Sequence, residues 1–526
     1  MLGATIIVVL SATAADRTAG GKAWWKHVQY LASDELQGRN IGTPGYEKAA
    51  EYVAKQFAEA ALKPAGTDGF FQPVSFSEVS IDQAQSSLEL LDGSKAQRVP
   101  VPGEAALGYS VHSVPDITAP VVFAGYGLVI PEAHHDDLQN LNVKGKVVAF
   151  LTGGPESIDG NLRSHHSSME ERWKALDKAG AVGVISIPNP KTMEIAWARG
   201  ALTYGMPRMS LTDPAAPSNV DVKFSATWNP DKADDLLAGS GHKFAEITGA
   251  ADSQKPLPHF ELRKQIKAHV ATSVRQIQSK NVAGVYRGSH AQLQDQFVVI
   301  SAHLDHLGTG KPVNGDSIYN GAMDDASGVA SVIEIAKAVG KEKPGVKRSI
   351  LFLAVTAEEK GELGSEYFAA HPTVKGRIIA DLNMDMFLPL FPLKWLEVQG
   401  LNESTLGADI RAVAEQAGVK VQADKEPNHN RFIRSDQYSF IKQGVPALAF
   451  KFGYQPSDPE EKIFKDWYTN RYHGVKDDLD QPVDIAAAAQ FTDILKTLAL
   501  RVADAEEAPH WESNSFFRRF ADQHGK

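Results

Sequence analysis

The sequence contains no cysteine, which excludes disulfides, thiolate metal sites, cysteine nucleophiles and a lipidated cysteine near the amino end. Any bound metal must therefore be held by His, Asp and Glu. No G-x-S-x-G, H-E-x-x-H or phosphate-binding P-loop motif occurs, so nucleophile-elbow hydrolases, ordinary zincins and nucleotide-triphosphate enzymes lose their signatures. Long Lys/Arg runs are missing and the formal net charge is -10. A phosphate backbone calls for a basic face, so no nucleic-acid partner is expected. Repeats and low-complexity tracts are missing too, which argues against extended disorder.

An apolar stretch lies in the amino-terminal "MLGATIIVVLSATAADRTAGG". It falls short of the roughly 20 apolar residues that a membrane helix needs, so no stable membrane span is expected. It ends in small residues, with Ala12, Thr13 and Ala14 forming an A-x-A-like site. No Lys or Arg precedes it, a departure from the usual pattern. Residues 1–19 read as a signal peptide, and the protein as secreted or periplasmic.

What is present is an ordinary globular composition, 43% hydrophobic and 22% charged over 526 residues. That length predicts about two to four domains. The apolar positions Tyr46, Ala49, Ala50, Val53 and Phe57 of "YEKAAEYVAKQF" fall on one helical face, with Thr43 and Pro44 as a start signal. From about 119 to 268 the chain has its own strand and helix signals: "APVVFAGYGLV", "NVKGKVVAFLTG", "MEERWKALDKAGA" and "VGVISI". After about 270, consecutive apolar runs such as "FVVISAH", "SILFLAV" and "VPALAF" alternate with helical stretches. These predict an α/β fold with central strands buried on both faces.

Polar residues just beyond such strands are candidates for a site, because open α/β sheets bind ligands there. His303 and Asp305 end one strand, Asp324 and Asp325 precede a helix, and Glu358 and Glu359 end another strand. Asp385 ends a further apolar run, and His473 lies in a Gly-flanked loop. Singly, each has an ordinary structural reading, such as a carboxylate at a helix start. Together they form a nitrogen and oxygen donor set suited to zinc. They also exceed the three protein ligands of a single catalytic zinc, so two ions fit better than one. The paired His134/His135 and His165/His166 read as solvated loop histidines.

The motifs "HLDHLG", "NGAMDDASG", "TAEEKGELGS", "NMDM" and "YHGVKDD", with the earlier "LASDELQGRNIGTPGYEKAAEYV", resemble the co-catalytic zinc aminopeptidase family. That family also contains glutamate carboxypeptidase, glutaminyl cyclase and the transferrin receptor. The resemblance covers roughly 24 to 105 and 270 to 500. It implies a mixed, mostly parallel central sheet flanked by helices, two Zn2+ per chain and peptide substrates. By the same resemblance Asp324 bridges the metals, His303 and Asp385 complete one site, and Glu359 and His473 complete the other. Glu358 matches the general base, Asp305 the partner of His303, and Asp325 follows Asp324 through a cis peptide. "HNRFIRSDQYSF" resembles a substrate-lining loop, within which Arg434 and Tyr438 are candidates.

Through "NVKGKVVAFL" and "ERWKALDKAGAVGVISI" the stretch 119–268 resembles a protease-associated domain. It would interrupt a peptidase domain formed by 20–118 and 269–510, leaving 511–526 as a tail. A carboxypeptidase of the glutamate carboxypeptidase type, a glutaminyl cyclase-like transferase and a non-enzymatic receptor are the alternatives. Retention of all five ligand positions weighs against the receptor.

Overall fold

The computed structural model describes residues 14–525. Most of the expected signal peptide, residues 1–13, lies outside them; from Ala14 the chain is helical. Among the described residues no helix is long and apolar enough to cross a membrane.

The main sheet is ten-stranded. Nine of its strands are β1 (Phe71–Ile81), β2 (Arg208–Leu211), β3 (Thr272–Tyr286), β4 (Gln296–His303), β5 (Ser349–Val355), β6 (Arg377–Asn383), β7 (Trp395–Gln399), β8 (Lys420–Ala423) and β9 (Ala447–Gly453). They lie in the order β2-β1-β3-β5-β4-β6-β9-β7-β8. The centre, β5-β4-β6-β9, is parallel, whereas β3, β1 and β2 add on antiparallel at one edge. β5 and β9 are buried at every position, as their unbroken apolar runs predict for strands covered on both faces.

Six helices matter for the site: α1 (Ala14–Leu31), α2 (Pro44–Glu59), α3 (Ser327–Glu342), α4 (Leu363–Ala370), α5 (Pro459–Asn470) and α6 (Ile485–Asp504). α2 starts where expected, with the Thr43 hydroxyl accepting from the Tyr46 amide at 3.4 Å. It buries the five predicted apolar positions. One hydrophobic core joins α1, α2, α3 and α6 to the main sheet.

A second, eight-stranded sheet has its own core. It includes the expected strands around 116–124, 147–151 and 183–187, with a helix at Met169–Lys178 between the last two. It also takes in strands at Ser87–Asp92, Lys95–Arg98 and Ala105–Leu107, which precede the start at 119 expected from sequence. In the other direction, β2 leaves the stretch 119–268 to pair with β1, Leu211 opposite Phe76. The residues set apart as a tail are folded in: Trp511, Phe517 and Phe520 are buried against Phe432, Tyr438 and Ile441.

Candidate metal centre

Register sets the site. In the parallel pair β4/β5, His303 stands opposite Val355, and in β4/β6 Ser301 stands opposite Asn383. The three strands thus end at one level, delivering His303 to Asp305, Glu358 with Glu359, and Asp385 to the same rim. Asp324 and Asp325 arrive from the turn before α3, joined by a cis peptide bond, and His473 from the loop after α5.

His303 Nε2 lies 3.1 Å from Asp324 Oδ1 and 3.7 Å from Asp385 Oδ1. His473 Nε2 lies 3.3 Å from both Asp324 Oδ2 and Glu359 Oε2. Asp324 therefore turns one oxygen to each cluster. Ligands of a tetrahedral zinc at about 2.0–2.2 Å are separated by about 3.3–3.6 Å, and the four distances fall close to that spacing. Asp324 Oδ2 and Asp385 Oδ1 are buried without a hydrogen-bond partner, whereas Glu359 Oε1 lies 2.6 Å from His306 Nδ1. Buried carboxylate oxygens need a donor or a cation, so the residues fit a divalent metal pair. Glu358 stands beside the first cluster, with Oε2 4.0 Å from His303 Nε2.

The electrostatics state the same demand. Burial, aided by Asp385 and Glu359, pushes the Glu358 carboxyl well above its usual range despite the pull of His303. Burial opposes charge on Asp324 as well, but contacts from His303 and His473 outweigh it and hold that carboxyl well below the usual range. Burial likewise disfavours a cationic His303, yet Glu358, Asp324 and Asp385 raise its pKa well above the ordinary value. The cluster draws positive charge to itself.

Three further carboxylates brace the main chain that carries the candidate ligands. Asp305 accepts hydrogen bonds from the Glu358 and Glu359 amides at 3.0 and 3.3 Å. Its carbonyl oxygen, rather than its carboxylate, is the nearer contact of His303 Nδ1, at 3.0 Å against 4.0 Å. Asp325 accepts from the Gly328 and Met386 amides. Asp477 accepts from the Met323 and Asp324 amides.

Three residues near the centre had no role assigned from sequence. His306 is fully buried, with Nδ1 2.6 Å from Glu359 Oε1; it sits inside "HLDHLG", where the second histidine was a visible signal. Asp477 sits likewise inside "YHGVKDD". Arg39, fully buried, donates to the carbonyls of Leu31, Leu304, Asn320 and Gly321 at 2.5, 2.9, 2.6 and 3.0 Å. It thereby ties together the segments bearing His303 and Asp324. The chain reaches that position through Gly38 at φ 70°, where a Cβ would lie 2.2 Å from the Tyr319 carbonyl oxygen.

A cleft of about 220 Å3 opens on the centre. Arg431, Arg434, Ser435 and Gln437 line it, all from the segment expected to face substrate. Glu194, from the second-sheet region, also lines it. Its carboxylate lies 2.8 Å from Arg431, 2.9 Å from Arg434 and 2.9 Å from His429. Tyr438 does not line the cleft: its hydroxyl pairs with His165 Nδ1 at 2.6 Å. His165 is accordingly no solvated loop histidine, but is buried on a helix, Gly160–Ser167.

Carboxylates and imidazoles gathered past the ends of parallel strands mark an α/β protein whose sheet carries a candidate metal site. A family model described as Peptidase family M28 matches residues 281–499. Among curated relatives, aminopeptidase YwaD of Bacillus subtilis is 27% identical over 225 residues, 41% of this chain and 45% of its own length. The probable lipoprotein aminopeptidase LpqL of Mycobacterium tuberculosis is 26% identical over 435 residues, 80% of this chain and 71% of its own. The matched part of the chain thus spans less than half of the first relative. The aminopeptidase from Aneurinibacillus sp. strain AM-1 superimposes with a TM-score of 0.56 over 93% of this chain and 95% of its own, at 21% identity, a likeness of fold.

Proposed function

We propose that the protein is an exported aminopeptidase that holds two zinc ions, one by His303, Asp324 and Asp385, the other by Asp324, Glu359 and His473. The observation that carries this reading is the division of the two Asp324 oxygens between clusters whose spacing suits tetrahedral zinc. Bound there, the metal pair supplies Lewis acidity and a water acidified towards neutral pH.

The residues divide the remaining work. Glu358, outside both ligand sets, takes the proton of the attacking water on its carboxylate and returns it to the departing amine nitrogen. Asp305 fixes the main chain of Glu358 and Glu359, so base and ligand keep their relative positions. Asp325 and Asp477 do the same for the Asp324 turn. Arg431, Arg434 and Glu194 form the cleft wall that a peptide meets. We take the second-sheet region, about 87 to 269, as the protease-associated insert. Export rests on the apolar, small-residue-ended amino terminus.

The test joins metal analysis to a substrate panel. About two zinc ions per chain, cleavage of free-amine substrates and loss of turnover on chelation are expected. Cleavage of peptides with a blocked amino end and a free carboxylate would favour a carboxypeptidase instead, and one zinc with cyclised product a glutaminyl cyclase.

A further inference from the structure

The cleft carries a set of polar groups that the proposed chemistry leaves unused. Lys451 sits on β9 between Phe450 and Phe452 in the strand and opposite Glu397 of β7, and is 4% exposed. Its ammonium has three N–H donors, and its hydrogen bond runs to the Asp385 carbonyl oxygen at 2.7 Å. The Tyr468 hydroxyl on α5 and the Gln399 side-chain nitrogen at the end of β7 are buried without a partner. Both residues are more than nine-tenths buried, and all three line the cleft. The Arg431 guanidinium lies 4.7 Å from the centre of the Tyr468 ring. Offsetting the charge of Asp385 would account for Lys451 alone. It leaves the phenol and the amide unexplained, and buried polar groups without partners call for a ligand.

Donors outnumber free acceptors here. Glu194 is bound by Arg431, Arg434 and His429, and the other carboxylates, apart from Glu362, belong to the metal centre. Burial pushes Glu362 up to about 7, which weakens its hold on a cationic side chain. The aliphatic part of the lining is confined to Met386 and Ala449. A leucine side chain would cover the ammonium, phenol and amide without answering them, and a site built for hydrogen bonds rejects a group that makes none.

We infer that Lys451, Gln399 and Tyr468 form a side-chain subsite that selects peptides beginning with an acidic residue, glutamate or aspartate. This rests on the aminopeptidase reading. Lys451 supplies the charge, while Gln399 and Tyr468 fix the two carboxylate oxygens.

The test compares chromogenic aminoacyl anilides of Glu, Asp, Gln, Leu and Lys on the zinc-loaded enzyme, with free glutamate and leucine as competitive inhibitors. We expect kcat/KM for Glu at least about tenfold above Leu, and glutamate to be the tighter inhibitor. Lys451→Met should reverse the order of Glu and Leu, and Gln399→Leu should narrow the gap between them. Wild-type preference for Leu or for Lys would overturn the subsite. So would an unchanged Glu/Leu ratio in Gln399→Leu, a variant that remains informative if Lys451→Met fails to fold. Turnover with a flat panel sinks the subsite alone, whereas no turnover on any free-amine substrate sinks the aminopeptidase reading.

Discussion

Replacing Arg39 by Met tests whether the metal centre is held from below by one buried cation. The guanidinium makes four hydrogen bonds of 2.5–3.0 Å, all to main-chain carbonyls. Bonds of this charge-assisted kind contribute about 1.5–3 kcal/mol each. Their gross sum, about 6–12 kcal/mol, overstates the loss, because water refills part of the space; a net destabilisation of about 4–6 kcal/mol is expected. At roughly 2.1 cal/mol/K per residue, cooperative melting of about 500 residues converts this to about 4–6 °C in Tm. Arg39→Lys should fall between, since three donors cannot serve four acceptors. Zinc affinity should drop about 10–100-fold, the range for outer residues that orient ligands, because Leu304 and Gly321 adjoin the ligand-bearing segments. The assay is calorimetric melting of the three proteins together with zinc titration against a competing chelator. A Met variant that melts within a degree of wild type and keeps its zinc would refute the argument.

Glu358→Gln should keep both metals and lose about 10²–10⁴ in kcat, the range for a general base, whereas Glu359→Gln should lower zinc content along with activity; zinc loss in the first but not the second would reverse the assignment. His165 offers a pH test at the seam between the two sheets. Burial lowers its pKa from 6.5 to about 4, so the unfolded chain binds its proton first. The stabilisation is complete above pH 6.5 and is lost as pH falls towards 4, by at most ~3 kcal/mol. Melting curves at pH 7 and 4.5 should therefore differ more for wild type than for His165→Gln, and equal differences would rule this out. Glu194→Gln should leave zinc content intact and change KM more than kcat, read from steady-state kinetics; lost zinc would show that the contact reaches the ligands.

His303, Glu359 and Asp385 were legible because each follows an apolar run that fixes a buried strand, whereas Asp324 and His473, in a turn and a loop, were legible only through the motifs around them. The helix at Tyr46 to Phe57 was legible for the same local reason, a period of 3.6 with a capping threonine. Contacts between distant segments leave no such trace. Nothing local ties Arg39 to Asn320, or Glu194 to Arg431 more than 230 residues later. That the strands at 87–107 join the second sheet was not legible, because short alternating strands do not say which sheet they join. Tyr438 looked like a cleft residue because its neighbours in sequence are; the 310-like turn and helix around it send its ring to the other side, towards His165.

The pairing of β2 with β1 bears on how this molecule ages. β1 is an eleven-residue strand whose outer edge is covered, near its carboxyl end, by four residues borrowed from the second-sheet region. A proteolytic cut or a deletion that frees β2 uncovers Phe76, Ser77, Glu78 and Val79 with their backbone donors and acceptors unmet. Bare strand edges pair with other chains. The damaged form would thus gather into aggregates while the candidate metal ligands, grouped past the ends of the central strands, stayed in place.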